Sequence, residues 1–267
     1  MSPVDPKPTP AGQDSPLAYL DLSFLESEDG RPIRILAEYL QPLHAFRRHR
    51  VHDTIAFFGS ARVREDGPRG RFYRDARELA RGVTEWSQSI QGPGRRFLVC
   101  TGGGPGIMEA ANRGAADAGG RSIGLNIGLP HEQRPNGYIT PDLSFQFHYF
   151  FMRKLWFAYL ARALVVFPGG FGTLDELFEI LTLSQTQKLD RKVPVLLYGP
   201  EYWRKLVSFD LLVEDGMIER EDLRLFQFVD TPTEALRILQ TMLGSEARPE
   251  SPSIAKSKTP DDSVPKP

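Results

Sequence analysis

Ala163-Leu164-Val165-Val166-Phe167-Pro168-Gly169-Gly170-Phe171-Gly172-Thr173-Leu174-Asp175-Glu176 is the stretch on which the reading of this chain turns. It opens with five apolar residues that stop at Pro-Gly, as a strand buried on both faces does. A glycine loop follows. Beyond it Leu174, Leu177, Phe178 and Leu181 fall at i, i+3, i+4 and i+7, which predicts an amphipathic helix packed on a sheet. Strand, glycine loop and helix thus follow without a break, and the positive end of the helix dipole points at the glycines.

The same order recurs on either side. Thr54–Phe58, Phe97–Thr101, Ser122–Ile127 and Val193–Tyr198 are further short apolar runs, and segments 71–90, 105–118, 151–161, 173–188, 200–214 and 232–243 carry helical patterns. Alternation of this kind predicts an α/β fold, a Rossmann-like, mostly parallel sheet with helices on both faces in a single domain. A helix over about 31–47 is expected to dock outside that unit. Ligands in such folds bind beyond the carboxyl ends of the strands, so the residues just after the apolar runs are the ones to inspect.

Composition narrows the functional classes. Of 22 prolines, ten lie in residues 1–16 or 248–267, and the segments 1–16 and 245–267 hold few large apolar side chains. Both tails are read as disordered, which leaves 17–244 as the folded domain. Thirty-three basic and 34 acidic side chains give a net charge of −1, so no basic field points to nucleic acid. The longest apolar run, Leu155–Ala161, is seven residues against the ~20 of a membrane helix, and the first residues lack a signal-peptide pattern. A cytoplasmic protein without membrane contact is expected. Cys100, the single cysteine, sits in an apolar run and reads as an inert strand residue, and no Cys/His spacing suggests a metal.

Two loops concentrate seven glycines. Gly102, Gly103, Gly104 and Gly106 precede Ile107-Met108-Glu109, and Gly169, Gly170 and Gly172 precede Leu174. Each is read either as an anion site at a helix N-terminus or as a tight strand-to-helix turn without a ligand. Neither is a phosphate-binding Gly-Lys-Ser/Thr loop, and neither fits G-x-G-x-x-G. Thr173-Leu174-Asp175-Glu176 also matches a capping box, in which Glu176 would bond back to the Thr173 backbone. Arg153-Lys154, beside Phe150, Phe151 and Trp156, is either a solvated helix start or a phosphate clamp.

FFMRK (150–154), PGGFGTLDE (168–176) and GGGPGIMEA (102–110) together resemble the LOG family over roughly residues 52–230. Its members, long mislabelled lysine decarboxylases, are cytokinin-type nucleoside 5′-monophosphate phosphoribohydrolases, with related bacterial nucleotide nucleosidases. The resemblance implies catalytic roles for Arg153 and Glu176. It implies substrate contacts for Ser60, Gly104, Glu132, Lys154, Gly169, Gly170, Phe171, Gly172, Thr173, Leu174, Asp175 and Thr182. It implies no metal, no cofactor and a homodimer or higher homo-oligomer. Tyr159 stands where plant-type members carry a second arginine, a departure that touches base preference more than chemistry.

The activity so implied is hydrolysis of the N-glycosidic bond of AMP or an N6-substituted AMP to free base and ribose 5-phosphate. The alternatives are a non-catalytic nucleotide- or molybdenum-cofactor-binding carrier on the same fold and an interaction protein that recruits partners through its tails.

Overall fold

Alternate residues of the apolar runs go to opposite sides of one sheet. Ile55, Phe57, Val99, Ala163, Val165 and Leu196 join one buried cluster, and Ala56, Phe58, Leu98, Cys100, Leu164, Val166 and Leu197 join the other. Two covered faces explain why these strands are continuously apolar rather than alternating.

The computed structural model describes residues 16–90, 92, 94–128, 134–189 and 191–244. Along them run α1 (Leu22–Glu26), α2 (Arg31–Arg48), β1 (Thr54–Phe58), α3 (Gly70–Ser89), β2 (Leu98–Thr101), α4 (Ile107–Asp117), β3 (Ser122–Ile127) and β4 (Ser144–Phe147). After these come α5 (Phe150–Leu160), β5 (Ala161–Val166), α6 (Phe171–Gln185), β6 (Val195–Tyr198), α7 (Pro200–Leu206), α8 (Phe209–Glu214), β7 (Phe226–Val229) and α9 (Pro232–Leu243). The sheet order is β4-β3-β2-β1-β5-β6-β7, and every pairing is parallel. α3, α4 and α9 cover one face. α2, α5, α6 and the α7–α8 region cover the other. Leu177 and Ile180 turn the inner side of α6 onto the sheet, and burial of each is worth roughly 1.5–3 kcal/mol relative to exposure.

β1 lies between β2 and β5, so the chain changes direction across the sheet there and the loops after β1 and β5 part around a crevice. Backbone hydrogen bonds tie those loops together. Phe167 N–H donates to Phe58 C=O at 2.8 Å, Ser60 N–H to Pro168 C=O at 3.0 Å, and Ile107 N–H to Ser60 C=O at 3.1 Å. Both glycine loops therefore flank the Gly59-Ser60 turn at the carboxyl end of the sheet.

Several expected boundaries need correction. β4 and β7 were not anticipated, because these edge strands (Ser-Phe-Gln-Phe and Phe-Gln-Phe-Val) alternate apolar and polar residues instead of forming an apolar run. Phe97 is outside β2: its φ of +54° makes a turn, with its N–H held by the buried Asp53 carboxylate at 2.6 Å and its ring stacked on Trp86. The strand expected from Val193 starts at Val195, after Pro194, which has no N–H for the ladder. β5 starts two residues before Ala163. The 200–214 segment is two helices, parted where Val207 turns extended so that Phe209 can pack on Phe226. The α6 helix begins at Phe171 and ends at Gln185 rather than spanning 173–188. The expected tails, apart from Pro16, lie outside the described residues. Among the described residues no helix is long and apolar enough to cross a membrane.

Candidate active site

The first glycine loop is fastened by asparagines. The Thr101 hydroxyl donates to Asn112 Oδ1 at 2.7 Å and accepts from Gly103 N–H at 2.9 Å. The Asn136 side chain donates to the carbonyls of Gly103 and Gly104 at 3.1 and 3.0 Å. Gly103 has φ +74°, and a Cβ there would collide with Asn126 Oδ1, so only glycine serves. The loop's carbonyls are thereby turned into the protein.

The second loop ends in an open helix start. Gly170 is the N-cap of α6, no side chain caps it, and the first intrahelical bond runs from Leu174 N–H to Gly170 C=O at 3.0 Å. The N–H groups of Phe171, Gly172 and Thr173 therefore have no carbonyl one turn back to receive them. The capping box that the sequence allowed at Thr173 does not form: Thr173 is the third residue inside the helix, not its cap, and is buried against Gly169. A Cβ on Gly169 would collide with the Thr173 side chain, and its carbonyl accepts from Tyr202 Oη. This close approach fixes the glycine independently of any ligand.

Between the two loops stand Arg153 on α5 and Glu176 on α6. Glu176 is 4% exposed, and its Oε1 lies 3.7 Å from Arg153 Nη2. The guanidinium sits over the Phe157 ring at 5.5 Å and reaches Gly102, whose added Cβ would be 3.3 Å from Nη2. Its Nε is buried without a hydrogen-bond partner among the described residues. Burial pushes the Glu176 carboxyl up to about 7 against the opposing charge of Arg153, with Glu179 adding to the rise. Burial also lowers Arg153, and Glu176 opposes that. A carboxyl poised at neutrality, a largely desolvated cation and an open helix N-terminus thus share one crevice. That combination suits an anionic substrate and general acid–base or charge-stabilising chemistry. A cavity of about 280 Å³ lined by Thr84, Gln88, Arg95, Phe97 and Arg121 lies at the opposite end of the sheet. Helix carboxyl ends, not N-termini, converge there, and it contains neither Arg153 nor Glu176.

Residues 108–239 match the model of a family whose description is "Possible lysine decarboxylase". The cytokinin riboside 5′-monophosphate phosphoribohydrolase of Rhodococcoides fascians is 33% identical over 145 residues, which cover 51% of this chain and 70% of that protein. This chain belongs to the LOG family. The pyrimidine/purine nucleotide 5′-monophosphate nucleosidase of Escherichia coli (strain K12) is 32% identical over 133 residues, 43% of this chain and 28% of that protein. The X-ray structure of TM1055, a structural genomics target, superposes with a TM-score of 0.50 at 20% identity, over 71% of this chain and 99% of that one, in keeping with the fold.

Arg153 and Glu176 lie inside the region matched by the LOG-family model, whereas α2 and the first glycine loop precede it. The other site residues implied by the resemblance divide into groups. Gly169, Gly170, Phe171, Gly172 and Thr173 build the open helix start, with Phe171 92% exposed, and Leu174 is half-buried behind it. Ser60 holds the loops together, its Oγ accepting from Arg62 N–H at 3.0 Å, and Gly104 is buried under Asn136. Lys154 turns away from Arg153, since neighbours on a helix diverge by about 100°. Its ammonium meets Asp175 at 2.7 Å and Glu179 at 3.4 Å, which engages Asp175 as well. Thr182 is exposed and its hydroxyl donates to Phe178 C=O. Glu132, with Pro130 and His131, lies outside the described residues. Asn112, Asn126, Asn136 and Tyr202 shape the loops of this LOG-family site without any motif to announce them. Their one signal in sequence is a polar side chain on the apolar face of a helix (Asn112) or within an apolar strand (Asn126). Among the described residues no group of three or more His, Cys, Asp or Glu could hold a metal ion.

Proposed function

We propose that this protein hydrolyses the N-glycosidic bond of a nucleoside 5′-monophosphate, AMP or an N6-substituted AMP, to free base and ribose 5-phosphate. The observation that carries the reading is the buried Glu176 carboxyl facing Arg153 at 3.7 Å beside the open N-terminus of α6. The two curated relatives described above bear names of nucleotide-cleaving enzymes of this class.

The chemistry follows from charge. Cleavage of the bond builds positive charge on the ribose in an oxocarbenium-like transition state, which an adjacent carboxylate stabilises or relieves by taking a proton from the attacking water. Glu176 is assigned that role. The N–H groups at the start of α6 take the 5′-phosphate, and Arg153 orients the substrate and counters its charge. Phosphate binding, remote from the bond that breaks, thereby positions the sugar.

The protein is further proposed to be cytoplasmic and to work as a homodimer or higher homo-oligomer. Phe150, Phe151 and Phe171 expose about half or more of their surface at the starts of α5 and α6, on the side of the crevice, an apolar rim that a second copy would cover.

A panel of nucleoside 5′-monophosphates and the matching nucleosides, assayed for free base and ribose 5-phosphate, tests the reading. Release from monophosphates and not from nucleosides is expected. Cleavage of nucleosides alone overturns the phosphate assignment, and tight binding without release favours the carrier alternative.

A further inference from the structure

The helix that carries Arg153 is gripped by α2, its neighbour on the same face of the sheet. Glu38, in the middle of α2, accepts from His148 N–H through Oε1 at 2.7 Å and from Tyr149 N–H through Oε2 at 3.2 Å. These are the two peptide groups leading into α5. An anion is favourable at that end of a helix, and a carboxylate bridging two N–H groups makes charge-assisted hydrogen bonds. The Glu38 carbonyl accepts from Trp156 Nε1 at 3.1 Å, so the same residue holds α5 again near its middle. Tyr39 stacks on Trp156 at 5.4 Å and Phe46 meets its edge at 5.2 Å.

The path from Glu38 to the site is short. Tyr149, whose N–H is fixed by the carboxylate, offers its own carbonyl to Met152 N–H and Arg153 N–H at 3.2 and 3.3 Å. The guanidinium of Arg153, in contrast, is weakly tethered at its far end. Its Nε is buried without a hydrogen-bond partner among the described residues, and its carboxylate neighbour is at 3.7 Å, beyond hydrogen-bond length. Its placement is therefore inherited from the backbone of α5. Removing the Glu38 carboxylate leaves the Trp156 bond, the Tyr39 stack and the Phe46 contact, so α2 can stay docked while the start of α5 is released.

We propose that Glu38 is a positioning residue: its carboxylate fixes the entry to α5 and so sets the distance at which Arg153 faces Glu176. The functional meaning of that distance rests on the reading given under Proposed function, but the geometric claim does not.

The test is the titration of the Glu176 carboxyl in the full chain without substrate, followed by its side-chain carbon-13 shift and assigned by its loss in Glu176→Gln. Arg153, Lys154, Asp175 and Glu179 are the charged groups that act on Glu176. Lys154 also rides on α5, but Asp175 and Glu179 hold its ammonium. In Glu38→Ala the midpoint should rise by about one pH unit as Arg153 withdraws, a tenfold change in the proton equilibrium. Glu38→Gln, which keeps one acceptor oxygen and the same shape, should show a smaller rise and remains informative if the alanine variant does not fold. Tyr39→Ala, which loosens α2 without touching the carboxylate, should leave the midpoint in place. An unmoved midpoint in folded Glu38→Gln and Glu38→Ala overturns the proposal, as does an equal rise in Tyr39→Ala. If the hydrolase reading holds, kcat at pH 7 in Glu38→Ala falls about fivefold and recovers at higher pH. A wild type that releases no base would sink the hydrolase reading alone and leave the titration to decide the role of Glu38.

Discussion

Arg153 on α5 and Glu176 on α6 face each other at 3.7 Å, the glutamate buried and the arginine side chain only 14% exposed, yet neither completes a hydrogen bond to the other. Removal from water penalises both charged forms, and the mutual attraction recovers only part of that penalty. The balance leaves the glutamate near the midpoint of its titration at neutral pH while the arginine stays charged. A fully solvated pair would hold the carboxylate permanently ionised and leave it a poorer proton acceptor.

Glu176→Gln keeps the shape of the side chain and removes its ability to carry negative charge or take a proton. Base release should fall by about 10²–10⁴-fold, with circular dichroism unchanged. Near-normal turnover would remove Glu176 from the catalytic role.

Acidity should govern both activity and stability through this residue. Activity is expected to rise with pH through about 7, following ionisation of Glu176. Stability moves the other way. The folded carboxyl holds its proton to about 7 and the unfolded one only to 4.5, so the unfolded chain gains advantage as pH climbs between those values. Relative to Glu176→Gln, wild type should lose about 3 kcal/mol between pH 4.5 and 8. Denaturant melts of both proteins across that range measure the difference. A flat difference would mean that Glu176 titrates normally.

Arg153→Lys should not rescue the arginine. An ammonium cannot lie flat over Phe157 while reaching both Gly102 and Glu176, and it binds phosphate as a point charge rather than a fork. Turnover should drop by about 10²-fold or more, and the acidic limb of the pH profile should move upward. Wild-type kinetics in this variant would show that charge alone suffices.

The glycines of the second loop should separate by role. Gly169→Ala forces a Cβ into Thr173 and should lower the melting temperature. Gly172→Ala meets nothing within 4 Å and lies inside α6, so the fold should be unharmed or stabilised by up to about 1 kcal/mol. If its N–H lies against the substrate phosphate, KM for the monophosphate should nevertheless rise. Thermal melts paired with KM values distinguish the two positions.

Cys100 is buried, and burial pushes its thiol well above the usual range. It should resist thiol reagents in the folded protein and react once denaturant is added. Rapid labelling of the native chain would contradict its place in the core.

The five central apolar runs and the helix after each glycine loop were legible because each rests on local pattern: continuous apolar residues, a 3.6-residue period, glycine before a helix. Arg153 and Glu176 were singled out only by the resemblance to the LOG family, since their local pattern fits a solvated helix start and a capping box equally well. The edge strands β4 and β7 were not, since one face of each is solvated and the apolar run is broken by Gln146 and Gln227. The Thr173-Leu174-Asp175-Glu176 stretch stayed ambiguous in sequence for a similar reason. The same four residues fit either a helix start or its first turn, and only the packing of Thr173 against Gly169 selects the second.

By itself, the sequence determined the layering of the fold and the residues able to do chemistry, because burial periodicity and residue type are properties of short stretches. The tertiary structure decided what those residues became. It parted the neighbours Arg153 and Lys154, sending one to Glu176 and the other to Asp175 and Glu179. It brought Asn136 onto the first glycine loop and set Glu38 against the start of α5. Distances between segments remote in the chain are fixed by how helices seat on a twisted sheet. The ionisation of a carboxyl follows from that seating, since burial and the position of a single cation set its charge.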